Sequence, residues 1–121
     1  MTVRALLFVA MVSAAVVLGA QGAAVNRTSA QVAVTGTAGG LPATLIAPTG
    51  QAKMTTCFLR LETAEIRWTD DGTTVPTSTV GTLLEPGDSL VLNGYANLSQ
   101  FQAIRTTTTS GQLDATCGGG Q

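Results

Sequence analysis

The stretch AEIRWTDDG at residues 64–72 decides the fold class. Its apolar residues Ala64, Ile66 and Trp68 alternate with polar residues, which is the period of a half-buried β-strand. The Asp71-Gly72 dipeptide then closes the strand with a turn, because glycine adopts positive φ angles without a steric penalty. The stretch therefore predicts a strand with one side against a core.

The sequence on either side continues this pattern of short strands and turns. In Glu85-Pro86-Gly87-Asp88, proline and glycine occupy the second and third turn positions, as a type II turn prefers. About eight short strands result, and no segment after Ala24 has a convincing helical period. We expect an all-β domain, a small β-sandwich of jelly-roll or immunoglobulin-like type. The expected strands are residues 31–35, 43–47, 53–61, 64–69, 79–84, 89–92, 101–106 and 112–116.

The same alternation predicts the core. In residues 53–61, Cys57 and Leu59 share one face while Met54 and Phe58 lie on the other, so this strand is expected to be central and covered on both sides. The residues predicted to lie inside are Val32, Val34, Leu45, Leu59, Ile66, Trp68, Leu90, Leu92 and Ile104.

The chain before the domain has a different character. Residues 5–20, ALLFVAMVSAAVVLGA, carry no charge, follow Arg4 and precede the small residues of 21–24. This is the layout of a secretory signal peptide, and the run is shorter than the roughly 20 residues of a membrane-spanning helix. A membrane anchor, a buried helix or an apolar arm packed against a neighbour are the alternatives. We therefore divide the chain into residues 1–24 (signal peptide or apolar arm), 25–117 (β-sandwich, opening with a polar connector at 25–29) and 118–121 (flexible tail).

Composition excludes several function classes. The 121 residues include no histidine, which removes Ser-His-Asp and Cys-His catalysis and histidine-ligated metal sites. Six basic and seven acidic residues give a net charge of −1, so there is no basic surface for nucleic acid. We expect a protein that is not an enzyme and has no cofactor, metal site or nucleic-acid partner.

The polar and aromatic residues offer few candidate sites. Asp70 and Asp71 are best explained by turn chemistry, and no spaced set of oxygen ligands for calcium accompanies them. Trp68 is better explained as a core residue than as a platform for a sugar ring. Tyr95 follows the Asn93-Gly94 turn and is expected to be exposed, so we consider it for surface contact.

The two cysteines, Cys57 and Cys117, are candidates for a disulfide if the protein is exported. The alternative is a buried free Cys57 in an apolar strand and an unpaired Cys117 beside the terminal glycines. Pairing requires the two Cα atoms to lie within about 7 Å of each other.

Several motifs occur in an order that resembles a known family. They are IRWTDDGT at 66–73, Pro76-Thr77, GTLLEPGDSL at 81–90 and FQAIRT at 101–106. Together they resemble small virion proteins of tailed bacteriophages, of the capsid-decoration type, over about Cys57 to Thr116, half the chain. The resemblance implies a structural part of the particle, with no catalytic residues. A weaker likeness, over residues 68–77, is to the immunoglobulin-like accessory domain of chitobiase-type enzymes.

Two functions follow as expectations. The first is a bacteriophage virion component that binds capsid or tail proteins or further copies of itself, and is therefore oligomeric or bound to an assembly. The second is a secreted or cell-surface β-sandwich, exported through residues 1–24, that binds carbohydrate or protein. Contact with a membrane is expected only through the N-terminal segment, if that segment is retained.

Overall fold

The computed structural model describes residues 26–119, which form seven β-strands and two short helices. The expected signal peptide or arm at residues 1–24 lies outside the described residues. The strands are β1 (Asn26–Val34), β2 (Thr56–Leu61), β3 (Ile66–Thr69), β4 (Thr82–Leu84), β5 (Ser89–Asn93), β6 (Gln102–Arg105) and β7 (Gly111–Gly119). The helices are α1 (Ala43–Ile46) and α2 (Tyr95–Gln100).

Two antiparallel sheets make up the domain. One has four strands in the order β1-β7-β2-β5, and the other has three in the order β4-β3-β6. The expectation of a small all-β sandwich is confirmed.

A single bridge extends the second sheet beyond β6. Gly39 pairs with Ala103 through two backbone hydrogen bonds, with N···O distances of 3.1 and 2.9 Å. The amide of Arg105 also donates to the carbonyl of Thr35, at 3.0 Å. When the bridged segment is counted as a strand between β1 and β2, the chain has eight strand positions, numbered 1 to 8 along the sequence. The first sheet then has the order 1-8-3-6, and the second has the order 2-7-4-5. That is the jelly-roll arrangement, with its second strand reduced to a bridge.

The core lies between the sheets and is built from the inward rows of both. Gly111 allows a close approach of the two sheets, because a Cβ atom added there would lie 2.6 Å from Cγ2 of Ile66 in the other sheet. The buried core residues are Val34, Leu41, Leu45, Ile46, Met54, Cys57, Leu59, Leu61, Ile66, Leu84, Leu92, Leu98, Phe101, Ala103, Leu113, Ala115 and Cys117.

Most of the predicted core positions are inside. Val34, Leu45, Leu59, Ile66 and Leu92 are buried. Three others, namely Val32, Trp68 and Leu90, are half-buried and pack against the core.

The prediction for Ile104 is wrong. Ile104 pairs with Arg67 on the solvent side of its sheet, because the buried residue of this strand is its neighbour Ala103.

Both helices contradict the expectation of a chain without helical segments. Residues 43–47 were expected to form a strand, but Leu45 and Ile46 are both buried. Adjacent residues of a strand point to opposite faces, so burying both favours a helical turn. In α2, Tyr95 and Leu98 face the core at a spacing of three residues, but the segment is too short for its period to be read from sequence.

Strand β1 begins earlier and strand β7 ends later than the sequence predicts. Residues 26–29 belong to β1 rather than to a connector, since Asn26 to Ser29 pair with Gly119 to Thr116. Gly118 and Gly119, assigned to the flexible tail, are the last residues of β7. Backbone pairing over nine residues orders these polar and glycine-rich segments, which have no hydrophobic signal of their own.

Candidate binding face

The solvent side of the four-stranded sheet is the candidate binding surface. Strand alternation places every second residue of β1, β7, β2 and β5 there, while the residues between them face the core. We call this surface the outer face. It has three cross-strand rows, which are Arg27-Gly118-Thr56-Asn93, Ser29-Thr116-Phe58-Val91 and Gln31-Asp114-Arg60-Ser89.

The middle row carries two large apolar side chains in direct contact with water. Phe58 is 46% exposed and Val91 is 53% exposed, and the two are paired in register across β2 and β5. The expectation that a second layer covers this side of β2 is therefore wrong for Phe58. The strand is central within its sheet, but only its inward side faces the core.

A shallow, open groove adjoins Phe58 on the outer face. Its volume is about 310 Å³, and its lining includes Arg27, Thr56, Phe58, Thr116 and Gly118. Gly118 leaves the floor low, because an added Cβ would meet only ordinary contacts, 3.6 Å from the carbonyl oxygen of Asn26 and 3.9 Å from Nη1 of Arg27. The groove and the Phe58–Val91 pair form one continuous, weakly polar surface.

Charges lie at the two margins of the outer face and not in its centre. Arg27 lies at the groove end, and Arg60 and Asp114 are paired in register at the other. Arg60 also forms an exposed ion pair with Glu62, with Nε 3.6 Å from Oε2. An apolar centre with a polar margin is the common anatomy of a protein-binding surface.

The disulfide lies beneath this surface. Cys57 and Cys117 oppose each other directly in β2 and β7, their Cα atoms are 4.0 Å apart, and the structure joins them by a disulfide. Both side chains are buried, so the bond fixes the two central strands of the sheet from the core side.

Tyr95, the surface residue suggested by the sequence, lies elsewhere. It is the first residue of α2, half-buried and packed against the core, with Nζ of Lys53 4.7 Å from its ring centroid. It is not among the residues that line the groove. The expectation of an exposed tyrosine is wrong, because the turn at Gly94 leads into a helix that folds the ring inward.

The carboxylate of Asp71 stabilises the turn that contains it. One carboxylate oxygen accepts hydrogen bonds from the backbone amides of Thr74, at 2.8 Å, and Thr73, at 3.0 Å. These hydrogen bonds lower the pKa of Asp71 to about 2. The bond from the Thr74 amide has the largest effect, followed by those from the Thr74 hydroxyl and the Thr73 amide. The turn assignment made from Asp70-Asp71-Gly72 agrees with this geometry, and Gly72 has a φ of 78°.

Trp68 packs within the domain. Its ring is stacked on Phe101, with 5.9 Å between centroids, and its Nε1 is buried with no partner in the described part of the chain. The stacked aromatic pair joins the second sheet to the core, as expected of a tryptophan that packs within the domain.

Residues 26–119 contain no group of three acidic or cysteine side chains arranged to hold a metal ion. Within the same range, no helix is long and apolar enough to cross a membrane. No protein family, curated protein or solved structure matches this chain. Function must be inferred from the residues and from the geometry of the outer face.

Sequence reasoning missed the outer face because it placed Phe58 against a second layer and did not single out Val91. Alternation supplies part of the signal, because it assigns the faces but does not show whether a face is covered. Leu59 and Leu92 belong to one face, so Phe58 and Val91, one position away, belong to the other. Residues 26–119 form two sheets, and within this range no further sheet lies over the outer face.

Proposed function

We propose that this protein is a non-catalytic structural component of a bacteriophage particle, bound to other protein subunits through its outer face. The observation that carries the proposal is the exposed, in-register Phe58–Val91 pair, flanked by the hydroxyls of Ser29 and Thr116. Water contact with two large apolar side chains is unfavourable, and burial against a partner would recover that free energy.

The fold and the sequence motifs support the same proposal. Jelly rolls occur in viral capsid domains, although a fold by itself does not define a function. The ordered motifs between Cys57 and Thr116 resemble small virion proteins, and no histidine is present for acid–base chemistry. The groove is open, which suits surface contact better than enclosure of a small substrate.

Fractionation tests this proposal. Particles purified on a density gradient from the source culture should contain the chain, detected by its tryptic peptides. A tagged protein with Phe58→Asp and Val91→Asp should be lost from the particle band, because each change places a charge in the apolar centre of the outer face.

The matched control is Leu83→Asp, a change at a side chain 40% exposed on the solvent side of the second sheet. It should leave particle binding unchanged. Equal loss for both variants, or a chain found only outside the particles, would contradict the proposal.

The second candidate is a secreted or cell-surface module that binds carbohydrate or protein. The buried Cys57–Cys117 disulfide favours it, because disulfides persist mainly in oxidising compartments. The signal-like run at residues 5–20 points the same way. Lectin domains are also built on jelly rolls.

The mature N-terminus separates the two candidates. A chain that begins near residues 23–25 and is recovered from the culture medium supports export. A chain that retains residues 5–20 and sediments with particles supports the virion role. Mass spectrometry of the intact protein under non-reducing conditions measures the N-terminus and the disulfide together.

A further inference from the structure

The sequence of the protein itself contains an apolar segment that could cover the outer face. We propose that residues 5–20 of a second copy of this chain pack on the outer face of the first, along the groove and over the Phe58–Val91 pair. The inference rests on the proposed virion function, because it requires a chain that keeps its N-terminal segment.

The chemistry of the segment matches that of the surface. Residues 5–20 carry no charge and are almost wholly apolar. The centre of the outer face is apolar and hydroxyl-bearing, with its charges at the margins. An uncharged segment therefore covers Phe58 and Val91 without placing a charge of its own against them. The one charged residue in the groove lining, Arg27, lies in the row beside Phe58 and Val91 and not between them.

The position of the groove also suits this segment. The described chain starts at Asn26, and the next residue, Arg27, already lines the groove. Copies that lie side by side in a particle would bring the segment of one close to the groove of the next. The high local concentration of such an arrangement favours contact.

The reach of the connecting residues favours a second copy over the chain's own face. Only residues 21–25 separate the segment from β1, and five extended residues span at most about 18 Å. A layer packed on a sheet lies about 10 Å above it. To return to its own outer face, the connection would have to rise by that distance and reverse direction. A neighbour that lies beyond the start of β1 can be reached without such a reversal.

Photocrosslinking in an isotope mixture tests the proposal on the full chain. One preparation carries p-benzoylphenylalanine in place of Phe58, and the other is unmodified and labelled with nitrogen-15. After mixing and irradiation, the expected product is a dimer in which a labelled peptide from residues 5–20 is attached at position 58. The matched control carries the crosslinker in place of Leu83, and it should give no such product.

Two further variants sharpen the result. Leu7→Lys with Val16→Lys in the labelled chain should abolish the product, because charges then enter the apolar contact. Gly118→Thr should reduce it, because the new side chain fills the floor of the groove without a close backbone contact.

Every other outcome overturns the proposal. These outcomes are an attachment within one chain, an attachment to residues 26–119 of the second copy, no attachment, or a mature chain that lacks residues 5–20. A chain that sediments with particles but fails the crosslinking test removes only this inference. A chain secreted without residues 5–20 removes the virion function as well.

Discussion

The two sheets of the domain are stabilised in different ways. In the four-stranded sheet, β1 and β7 pair over nine consecutive residues, and a disulfide joins β7 to β2. In the three-stranded sheet, β3 pairs with β4 over three residues and with β6 over four. The first sheet is held mainly by long backbone ladders and a covalent bond, whereas the second needs further contacts.

Those contacts come from polar side chains that bond to backbone carbonyls. Arg67 donates to the carbonyl of Ser78, at 3.1 Å, and to that of Gly81, at 2.8 Å. Thr69 donates to the carbonyl of Thr74, at 2.7 Å. These bonds tie the loop between β3 and β4 to β3. A sheet with short ladders can thus be stabilised by a few side-chain hydrogen bonds, whereas a sheet with long ladders is stabilised mainly by its backbone hydrogen bonds.

The largest expected effect tests the covalent part of the first sheet. Cys57→Ala combined with Cys117→Ala should lower the free energy of unfolding by about 4 kcal/mol, the chain-entropy value for a loop closed over a separation of 60 residues. Urea unfolding of the variant and the parent protein, monitored by Trp68 fluorescence, measures the difference.

The control for this prediction is the parent protein refolded with its cysteines reduced, which separates the lost crosslink from the lost side-chain volume. A decrease of less than about 1 kcal/mol, as for an ordinary substitution, would show that the backbone ladders hold the sheet without the crosslink.

A smaller effect is expected in the second sheet. Arg67→Met keeps an apolar stem but removes the hydrogen bonds to Ser78 and Gly81, which should cost about 1–2 kcal/mol. Hydrogen exchange of the amides in residues 70–81 should accelerate, while that of β7 should not change.

Arg60→Met on the outer face is the matched control for Arg67. Its ion pair with Glu62 is exposed, so its loss should cost no more than about 0.5 kcal/mol. Equal losses for the two arginine variants would mean that the loop is not held by Arg67.

The smallest effect concerns the loop alone. The pKa of Asp71 is lowered to about 2 in the folded chain, from an ordinary value of 3.8. A carboxyl group whose pKa is lower in the folded chain stabilises the fold at pH values above its unfolded pKa. That contribution is lost as the pH falls from 3.8 towards 2. The amide signals of Thr73 and Thr74 in NMR spectra should therefore shift with a midpoint near pH 2.

Asp71→Asn serves as the control, because its side-chain carbonyl still accepts the two amide bonds but does not titrate. Its spectra should lack the transition at those two residues. A midpoint in the parent protein close to 3.8 would show that the turn does not favour the carboxylate.

Much of the fold was readable because alternation is a local signal. Leu59, Ile66 and Leu92 lie inside as their neighbours predict, and the turn at residues 85–88 has its expected form, with Gly87 at a φ of 93°. The amide of Asp88 closes this turn by donating to the carbonyl of Glu85, at 2.9 Å.

The rest depended on tertiary pairing. Gly118 and Gly119 are ordered by β1, which lies more than eighty residues earlier in the chain. Leu45 and Ile46 are buried together in a short apolar run, which periodicity cannot distinguish from a strand. The outer face was missed for a related reason, since local alternation does not report whether a second layer exists above Phe58.

The placement of the crosslink also determines how the domain would bear tension. Asn26 and Gly119 are partners in the ladder, so forces drawing the two ends of the chain apart would peel β1 from β7 one residue pair at a time. The disulfide shields the segment between Cys57 and Cys117 from that load, because the pull passes directly from one sulfur to the other. Under tension, the domain would lengthen through β1 and the segment up to β2, while the strands enclosed by the disulfide carry none of the load.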